Sequence, residues 1–230
     1  MSTDKNRDTI QSNLLLGVPN IRHGFGDRKH PFPSSIIPKE HWELRRPQWK
    51  QVHGVAHAFI SQPNALCREV DSLATQVAQC PIAVVTADCV PILLAKEDGS
   101  AIAAVHAGWR GTFSRILAET LSQIEPNPFH RSRWVAAIGP CAHPCCYEVS
   151  EELAEQFRSE FGGIATPTST RHLDLPAVNR RVLEDHGVQR VEIINECTIC
   201  SRTPQGEIRF ESYRRDGQAA ARQFSCIEIL

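Results

Sequence analysis

The sequence predicts an α+β fold with mixed β-sheets. Strand-like apolar runs and helix-like amphipathic segments alternate irregularly, without the strict strand–helix rhythm of a parallel α/β fold. The 230 residues contain no internal repeat, low-complexity tract or Gly/Ser-rich linker, and a chain of this length can bury a sizeable core as one domain. We therefore expect a polar N-terminal segment over residues 1–20 and a single domain over residues 21–230.

The stretch from Val84 to Thr112 is the most informative part of the chain. Two apolar runs, over 90–95 and 101–106, flank a charged turn that contains Gly99. Apolar runs joined by such a turn predict a buried β-hairpin.

The remaining helices and strands are predicted from the spacing of apolar residues and from residues that are typical of helix ends. Ser150 is a predicted N-cap, and Pro176 occupies the first-turn position of another helix. The proline-rich residues 31–47 predict a long surface excursion that either covers a pocket or lies apart from it. The periodicity predicts helices over 68–79, 114–124, 151–161 and 176–186, and strands over 82–86, 90–95, 101–106, 134–139, 189–195 and 207–213.

Composition bears on compartment and on partners. The formal net charge of −1 gives no electrostatic reason to expect a nucleic acid or an anionic membrane as partner. The nine cysteines are an odd number, and the polar N-terminus has no signal-peptide core. We expect a cytoplasmic protein with free thiols, as a monomer or a small homo-oligomer.

Three residues are candidate metal ligands: His53, Cys89 and His106. Cys89 follows Asp88 and precedes Pro91, so an acid and a proline interrupt an apolar strand run, a break that needs a compensating reason. Each residue also has an ordinary structural interpretation, as a small core cysteine or a hydrogen-bonded histidine. Together, two imidazoles and one thiolate are typical of a zinc site that keeps a fourth position open for catalysis.

Four further cysteines lie in two pairs along the sequence. Cys197 and Cys200 form a C-x-x-C pair, which is typical of a redox dithiol or of half a structural zinc site. No second C-x-x-C pair is present, and Cys145 and Cys146 are adjacent. We favour a structural or incidental role for this pair.

The motifs together resemble the YfiH-type proteins. That family was formerly labelled polyphenol oxidase or laccase-domain protein and is described as purine nucleoside phosphorylase. The similarity runs from about residue 23 to the C-terminus. It rests on the motifs Gln51-Val52-His53-Gly54, Thr86-Ala87-Asp88-Cys89-Val90-Pro91, Val105-His106-Ala107-Gly108-Trp109-Arg110-Gly111-Thr112, Ile138-Gly139-Pro140 with Cys146-Tyr147-Glu148-Val149, and Ser212-Tyr213-Arg214-Arg215.

The resemblance implies a layered fold of mixed sheets and outer helices, and a catalytic domain. It implies that zinc is held at His53, Cys89 and His106. By the general order of metal affinities, the same donors can also take copper as an adventitious occupant. The implied substrates are purine nucleosides and phosphate: phosphorolysis of adenosine and inosine, cleavage of methylthioadenosine, and deamination of adenosine. Tyr147, within a matching motif, is an implied substrate contact.

Two segments depart from the family pattern. The usual Phe-Ser-Thr-Arg with a following Gly-rich stretch is here Phe25-Gly26-Asp27-Arg28, followed by Lys29-His30-Pro31-Phe32. A usual Thr-Gly-Arg near the end is Ala220-Ala221-Arg222. Neither change touches the three candidate ligands, but both bear on substrate preference.

Roles for other residues follow from chemistry. An open-site zinc lowers the pKa of water and would favour attack at the purine C6, with Asp88 as the nearest candidate for proton transfer. Arg28 and Arg110 are candidate phosphate or substrate clamps, because guanidinium groups match phosphate geometry.

The residues also allow three other functions. One is a metal-independent cysteine hydrolase, with Cys89 as nucleophile and His106 as base, acting on a peptidoglycan precursor. Another is a copper-dependent polyphenol oxidase, although the ten histidines include no His-x-His pair. A binding module without turnover is the last alternative.

Overall fold

A computed structural model describes residues 9–167 and 171–230. Its strands are β1 (Ile21–Phe25), β2 (Gln48–Lys50), β3 (His57–Ile60), β4 (Leu66–Glu69), β5 (Ser72–Thr75), β6 (Ile82–Thr86), β7 (Val90–Lys96), β8 (Ile102–Ala107), β9 (Trp134–Ile138), β10 (Arg190–Ile193) and β11 (Gln223–Ile229). Its α-helices are α1 (Asn13–Leu16), α2 (Lys39–Arg45), α3 (Trp109–Phe113), α4 (Ile116–Ile124), α5 (Glu151–Phe161), α6 (Leu175–Asp185) and α7 (Tyr213–Asp216).

The strands form three sheets. The largest has six strands in the order β10-β9-β7-β8-β5-β3, and it mixes parallel with antiparallel pairs. An antiparallel sheet has the order β1-β11-β6, and β2 pairs with β4. This architecture confirms the predicted α+β fold with mixed sheets. No helix in the described part of the chain is long and apolar enough to cross a membrane.

The central hairpin is buried on both faces, as its apolar runs predict. Along β7, Ile92 and Leu94 belong to the core cluster shared with the outer helices, including Phe157 of α5. Leu93, between them, belongs to the cluster shared with the three-stranded sheet. Neighbouring residues of a strand point to opposite faces, so the six-stranded sheet is a middle layer between helices and the second sheet.

Several predicted helices form close to the expected bounds. The Ser150 side chain accepts a hydrogen bond from the backbone N–H of Leu153 and caps α5, as predicted. In α6, Asp174 is the cap and accepts from the N–H of Ala177. The predicted helix over 114–124 begins at residue 116, because Arg115 adopts a left-handed conformation (φ 65°) after the short helix α3.

Two element predictions are wrong. Residues 68–79 form the end of β4 and the strand β5 rather than a helix. All four side chains of β5 are buried although Ser72 and Thr75 are polar, so the segment lacks the apolar–polar alternation that distinguishes a strand. Val70, Leu73 and Val77 recur at a helix-like spacing, but only Leu73 lies in a strand. No strand forms over 207–213, and the last strand is instead β11, in the middle of the three-stranded sheet.

Two segments expected at the surface carry buried side chains. In the proline-rich segment, Ile37 and Trp42 are buried in a cluster that includes Ala83 and Cys226 of the three-stranded sheet. The segment is therefore part of the packed structure rather than a surface excursion. Within the predicted polar segment, residues 1–8 lie outside the described residues, while α1 follows Ser12 and its Leu15 is buried.

Candidate metal centre and substrate pocket

The chain changes sheet at the break predicted around Cys89. Strand β6 belongs to the three-stranded sheet and β7 to the six-stranded one, with only residues 87–89 between them. Asp88 has φ 95°, a left-handed conformation that is uncommon outside glycine. The turn places Cys89 at the start of β7, where that strand pairs with the end of β8.

The three predicted ligands come together. His106 lies on β8 opposite Pro91 of β7, and His53 lies in the loop between β2 and β3 with φ 60°. One ligand atom from each of His53, Cys89 and His106 lies within 4.8 Å of the others. The Cys89 sulfur is 4.0 Å from Nδ1 of His53.

Asp71 is a functional neighbour that sequence reasoning missed. It immediately precedes β5, and its Oδ1 is 2.7 Å from Nδ1 of His106. Its carboxylate also accepts hydrogen bonds from the backbone N–H groups of Val52, His53 and Gly54. Orientation of a ligating histidine by a carboxylate is common in metal sites. Asp71 therefore positions His106 and the His53 loop with one side chain.

The electrostatics favour a thiolate at Cys89. Burial alone would raise the pKa of Cys89, but hydrogen bonds with His106 and His53 outweigh it and lower that pKa to about 6. Burial of His106 opposes its charge, yet Asp71 and Cys89 raise its pKa to about 9. The same interaction with His106 overcomes the burial of Asp71 and lowers the pKa of that carboxyl. The thiolate is the form that binds metals and that attacks as a nucleophile.

The residues fit a metal ion by both chemistry and space. A Cβ added at Gly108 would lie 3.0 Å from the Cys89 sulfur and 3.2 Å from Nδ1 of His53. Only glycine thus leaves the donor atoms clear. Two imidazoles, a thiolate and a histidine-orienting carboxylate suit zinc, and the same donors can take copper.

The donor cluster opens into a pocket of about 780 Å³, within the size range of small-molecule sites. Trp49, Trp109, Tyr147, Tyr213 and Phe224 supply aromatic walls. Four guanidinium groups line the same pocket, those of Arg46, Arg110, Arg214 and Arg222. The pocket therefore combines aromatic surface, positive charge and the three donor atoms.

The other predicted site residues divide between two places. Asp88, Arg110 and Tyr147 line the pocket with the ligands. Arg28 does not: it lines a separate pocket and lies near two carboxylates, 3.4 Å from Glu211 and 3.7 Å from Asp216. The structure gives no support to a shared site for Arg28 and Arg110.

Asp88 is held firmly in the pocket wall. Its Oδ1 accepts a hydrogen bond from the Thr198 hydroxyl at 2.7 Å, and its Oδ2 accepts one from the backbone N–H of Arg214 at 2.6 Å. Asp88 thus joins the sheet-changing turn to the loop that carries Thr198 and to helix α7.

Several pocket residues lay outside the sequence prediction, including Arg46, Trp49 and Phe224. Tyr213 and Arg214 stand in a motif that carried the resemblance, which was the available signal for them. Nothing in the local sequence marks Trp49 or Phe224, because only the fold brings them to the pocket.

Comparison with known proteins identifies the family. A family model described as multi-copper polyphenol oxidoreductase laccase matches residues 38–230. The chain belongs to this family, the YfiH-type proteins. The YfiH-type chain also has the fold of a Neisseria meningitidis protein of known crystal structure, with a TM-score of 0.80 at 24% identity over 97% of this chain and 99% of that one.

Curated relatives carry enzyme names. The purine nucleoside phosphorylase of Deinococcus radiodurans is 36% identical over 181 residues, which cover 78% of this chain and 68% of that one. The purine nucleoside phosphorylase YfiH of Escherichia coli is 30% identical over 203 residues, 86% and 77% of the two chains. A protein named adenosine deaminase RL5, from an unknown prokaryotic organism, is 35% identical over 176 residues, 73% and 65% of the two chains.

Proposed function

We propose that this YfiH-type chain is a zinc-dependent purine nucleoside phosphorylase that cleaves adenosine, inosine and methylthioadenosine with phosphate and also deaminates adenosine. The observation that carries the proposal is one pocket in which arginines and aromatic rings adjoin the donor atoms of His53, Cys89 and His106. The names of the relatives support the same substrate class.

The arginines supply an anion site. Among the residues that the structure describes, Arg110, Arg214 and Arg222 form no ion pair with a carboxylate, whereas Arg46 lies 3.4 Å from Glu43. Unpaired guanidinium groups that converge on a pocket suit the oxygens of phosphate. Arg110 lies 4.2 Å over the ring of Trp109, and this stacking limits the orientations of its side chain.

The aromatic walls suit a purine. Flat rings are bound by stacking on aromatic faces, and Trp49, Trp109 and Phe224 all face the pocket. Burial, together with the nearby Cys89 thiolate, raises the pKa of Tyr147 to about 12. The Tyr147 hydroxyl therefore keeps its proton at neutral pH and can donate a hydrogen bond to a substrate acceptor.

The two proposed reactions differ in the nucleophile and in the carbon that it attacks. In phosphorolysis the bond from the ribose anomeric carbon to the base breaks, a bond to a phosphate oxygen forms, and the base leaves with a proton. In deamination water adds at the purine C6 and ammonia leaves. A zinc ion held by the three donors supplies Lewis-acid polarisation. Asp88, beside Cys89 in the pocket wall, is the proposed group for proton transfer.

The decisive experiment combines metal analysis with product analysis on one preparation. Inosine and adenosine are incubated with and without phosphate, and free base and inosine are followed by chromatography. The proposal expects zinc at the pocket and phosphate-dependent release of hypoxanthine, and it expects Cys89→Ala to lose both the pocket ion and this release. A pocket ion, counted as the zinc that Cys89→Ala loses, without turnover of any purine nucleoside would refute the substrate assignment and leave the metal assignment standing.

The phosphate site has its own test, with a matched arginine as control. Arg110→Ala removes a guanidinium from the pocket, and we expect the KM for phosphate to rise at least about tenfold, since a charge-assisted contact contributes roughly 1.5–3 kcal/mol. Arg28→Ala removes a guanidinium from the separate pocket and should leave phosphate kinetics unchanged. The reverse pattern would move the phosphate site to Arg28.

The geometry also supports a second candidate. Asp71, His106 and Cys89 stand in the order acid, base and nucleophile, the arrangement of a cysteine hydrolase. Such an enzyme, acting on a peptidoglycan precursor, would need no metal. Protein stripped of metal by a chelator distinguishes the two: hydrolysis that persists and is abolished by thiol alkylation would favour this candidate.

A further inference from the structure

A second group of cysteines lies outside the pocket. Cys145 and Cys146 belong to the loop after β9, and Cys197 and Cys200 belong to the loop after β10. The four sulfur atoms lie within 4.8 Å of one another, and all nine cysteines of the chain are free thiols. The fold thus pairs the C-x-x-C motif with two adjacent cysteines that lie more than fifty residues earlier.

The spacing of the sulfur atoms fits a tetrahedral ion. Zinc binds thiolates at about 2.3 Å, so the sulfur atoms of a tetrahedral four-thiolate site lie about 3.8 Å apart. The sulfur atoms of Cys145 and Cys200 are 3.7 Å apart. A disulfide bond would need a separation of about 2.05 Å.

The backbone holds the two loops in register. Cys141 and Cys197 form an isolated parallel β-bridge, with the N–H of Thr198 donating to the carbonyl of Cys141 at 2.9 Å. The N–H of Ser201 donates to the carbonyl of Cys197 at 2.9 Å, so the C-x-x-C segment closes into a turn. A metal ion bound there would hold the four cysteines as thiolates.

We propose that Cys145, Cys146, Cys197 and Cys200 bind a structural zinc ion, separate from the ion proposed for the pocket. A closed set of four thiolates leaves no position for substrate, which is the pattern of structural zinc sites. The reducing compartment expected from the sequence keeps these thiols available for metal.

This ion would brace the pocket through its neighbours. Thr198, between Cys197 and Cys200, donates the hydrogen bond to Asp88. Tyr147, which directly follows Cys146, lines the pocket. The four cysteines are thus positioning residues: they fix two loops whose side chains reach the substrate site.

Metal counting on the intact protein tests the assignment. After purification under reducing conditions and loading with zinc, we expect about two zinc ions per chain in the unchanged protein and about one in Cys145→Ser/Cys200→Ser. Both substituted residues are exposed, so the double variant should fold. Cys67 belongs to neither of the two proposed metal sites. Cys67→Ser is therefore the matched control and should keep both ions.

Cobalt absorption provides a second, spectroscopic measurement. Co²⁺ bound by four thiolates gives intense sulfur-to-metal charge-transfer absorption. We expect these bands in the unchanged protein and in Cys89→Ala, and a large loss of intensity in the double variant, where the four-thiolate set is broken and the pocket offers only the Cys89 thiolate. Cobalt bands that disappear in Cys89→Ala would overturn the proposal. So would a Cys145–Cys200 disulfide found in the reduced protein, or iron–sulfur absorption. Because neither readout involves turnover, the result is independent of the proposed phosphorylase activity.

Discussion

At the scale of single residues, Asp71 links two of the proposed ligands. It orients the His106 ring and holds the backbone around His53. Asp71→Asn removes the charge, and an amide cannot accept all of these hydrogen bonds. We expect zinc affinity at the pocket to fall roughly 10- to 100-fold, measured by competition with a chromophoric chelator.

Asp98 supplies the control for that variant. Its carboxylate is about half exposed and pairs with Arg133 on the surface, so Asp98→Asn should leave zinc affinity as it was. Equal affinity of the Asp71→Asn variant and the unchanged protein would show that Asp71 does not position the ligands.

Gly108 is the second residue with a specific expectation. In Gly108→Ala the new methyl group would press on the Cys89 sulfur and the His53 ring, while φ of −69° is allowed for alanine. Zinc content of the pocket should fall sharply, with little change in Tm. Gly163→Ala, which meets nothing within 4 Å, should alter neither quantity. Full zinc occupancy in Gly108→Ala would contradict the geometry proposed for the site.

The residue types in the motifs were enough to predict which donors meet. His53, Cys89 and His106 were singled out by chemistry and by resemblance, and the fold brings them together. Asp71 could not be found in this way, because its role depends on pairing β5 with β8. Arg28 shows the converse. Its guanidinium group suits phosphate, but the backbone places it in a separate pocket.

At the scale of elements, the contact between α1 and β1 should respond to pH. His23 of β1 is fully buried, and its Nε2 accepts the backbone N–H of Ser12, just before α1. Burial, opposed in part by Glu192, lowers the pKa of His23 from 6.5 to about 4. Below pH 6.5 the unfolded chain protonates His23, whereas the folded chain does so only near pH 4. The stability that neutral His23 contributes is therefore fully present above pH 6.5, and about 2 kcal/mol of it is lost as the pH falls from 7 to 5.

Urea unfolding at pH 7 and pH 5 measures this linkage. His23→Gln keeps a hydrogen-bond acceptor without a titrating group, so its stability should fall by about 2 kcal/mol less over that interval. His130→Gln removes an exposed histidine and should behave as the unchanged protein does. Identical pH dependence of the His23 variant and the unchanged protein would refute the effect.

The helix α2 should contribute to stability through one side chain. Trp42 is 3% exposed and packs against Trp49 and Phe224, which line the pocket. Trp42→Ala should lower the free energy of unfolding by about 3–5 kcal/mol, measured by urea denaturation. Leu44→Ala, 70% exposed on the same helix, is the control and should change it by less than about 0.5 kcal/mol. Similar losses in both variants would argue against a packed proline-rich segment.

Elements with clear end signals and continuous apolar strands were predictable, and the four-residue strand β5 was not. The predicted N-cap at Ser150 and the first-turn position predicted for Pro176 gave α5 and α6 nearly to the residue. In β5 the residues Ser72, Leu73, Ala74 and Thr75 do not alternate between apolar and polar, although all four are buried. The proline-rich segment looked irregular, yet its few large apolar side chains were sufficient to bury it.

At the scale of the whole molecule, the fold class followed from the sequence but the sheet order did not. The last strand, β11, lies between β1 and β6, a pairing that joins the two ends of the domain. The local sequence pattern of a strand does not show which distant strand pairs with it. It therefore could not show that β11 lies in the middle of its sheet. The pocket depends on this closure, since Phe224 of β11 forms part of its wall.

The donor atoms of the pocket sit on strand ends and on a loop tied down by Asp71, so the folded chain presents them ready-made before any ion arrives. A preformed donor set that opens into a pocket would exert little choice beyond chemical affinity, and copper outranks zinc on that scale. The ion bound would then depend on the metal supply where the chain folds, in a cell compartment or a growth medium. Two preparations of identical sequence would then differ in colour and in activity.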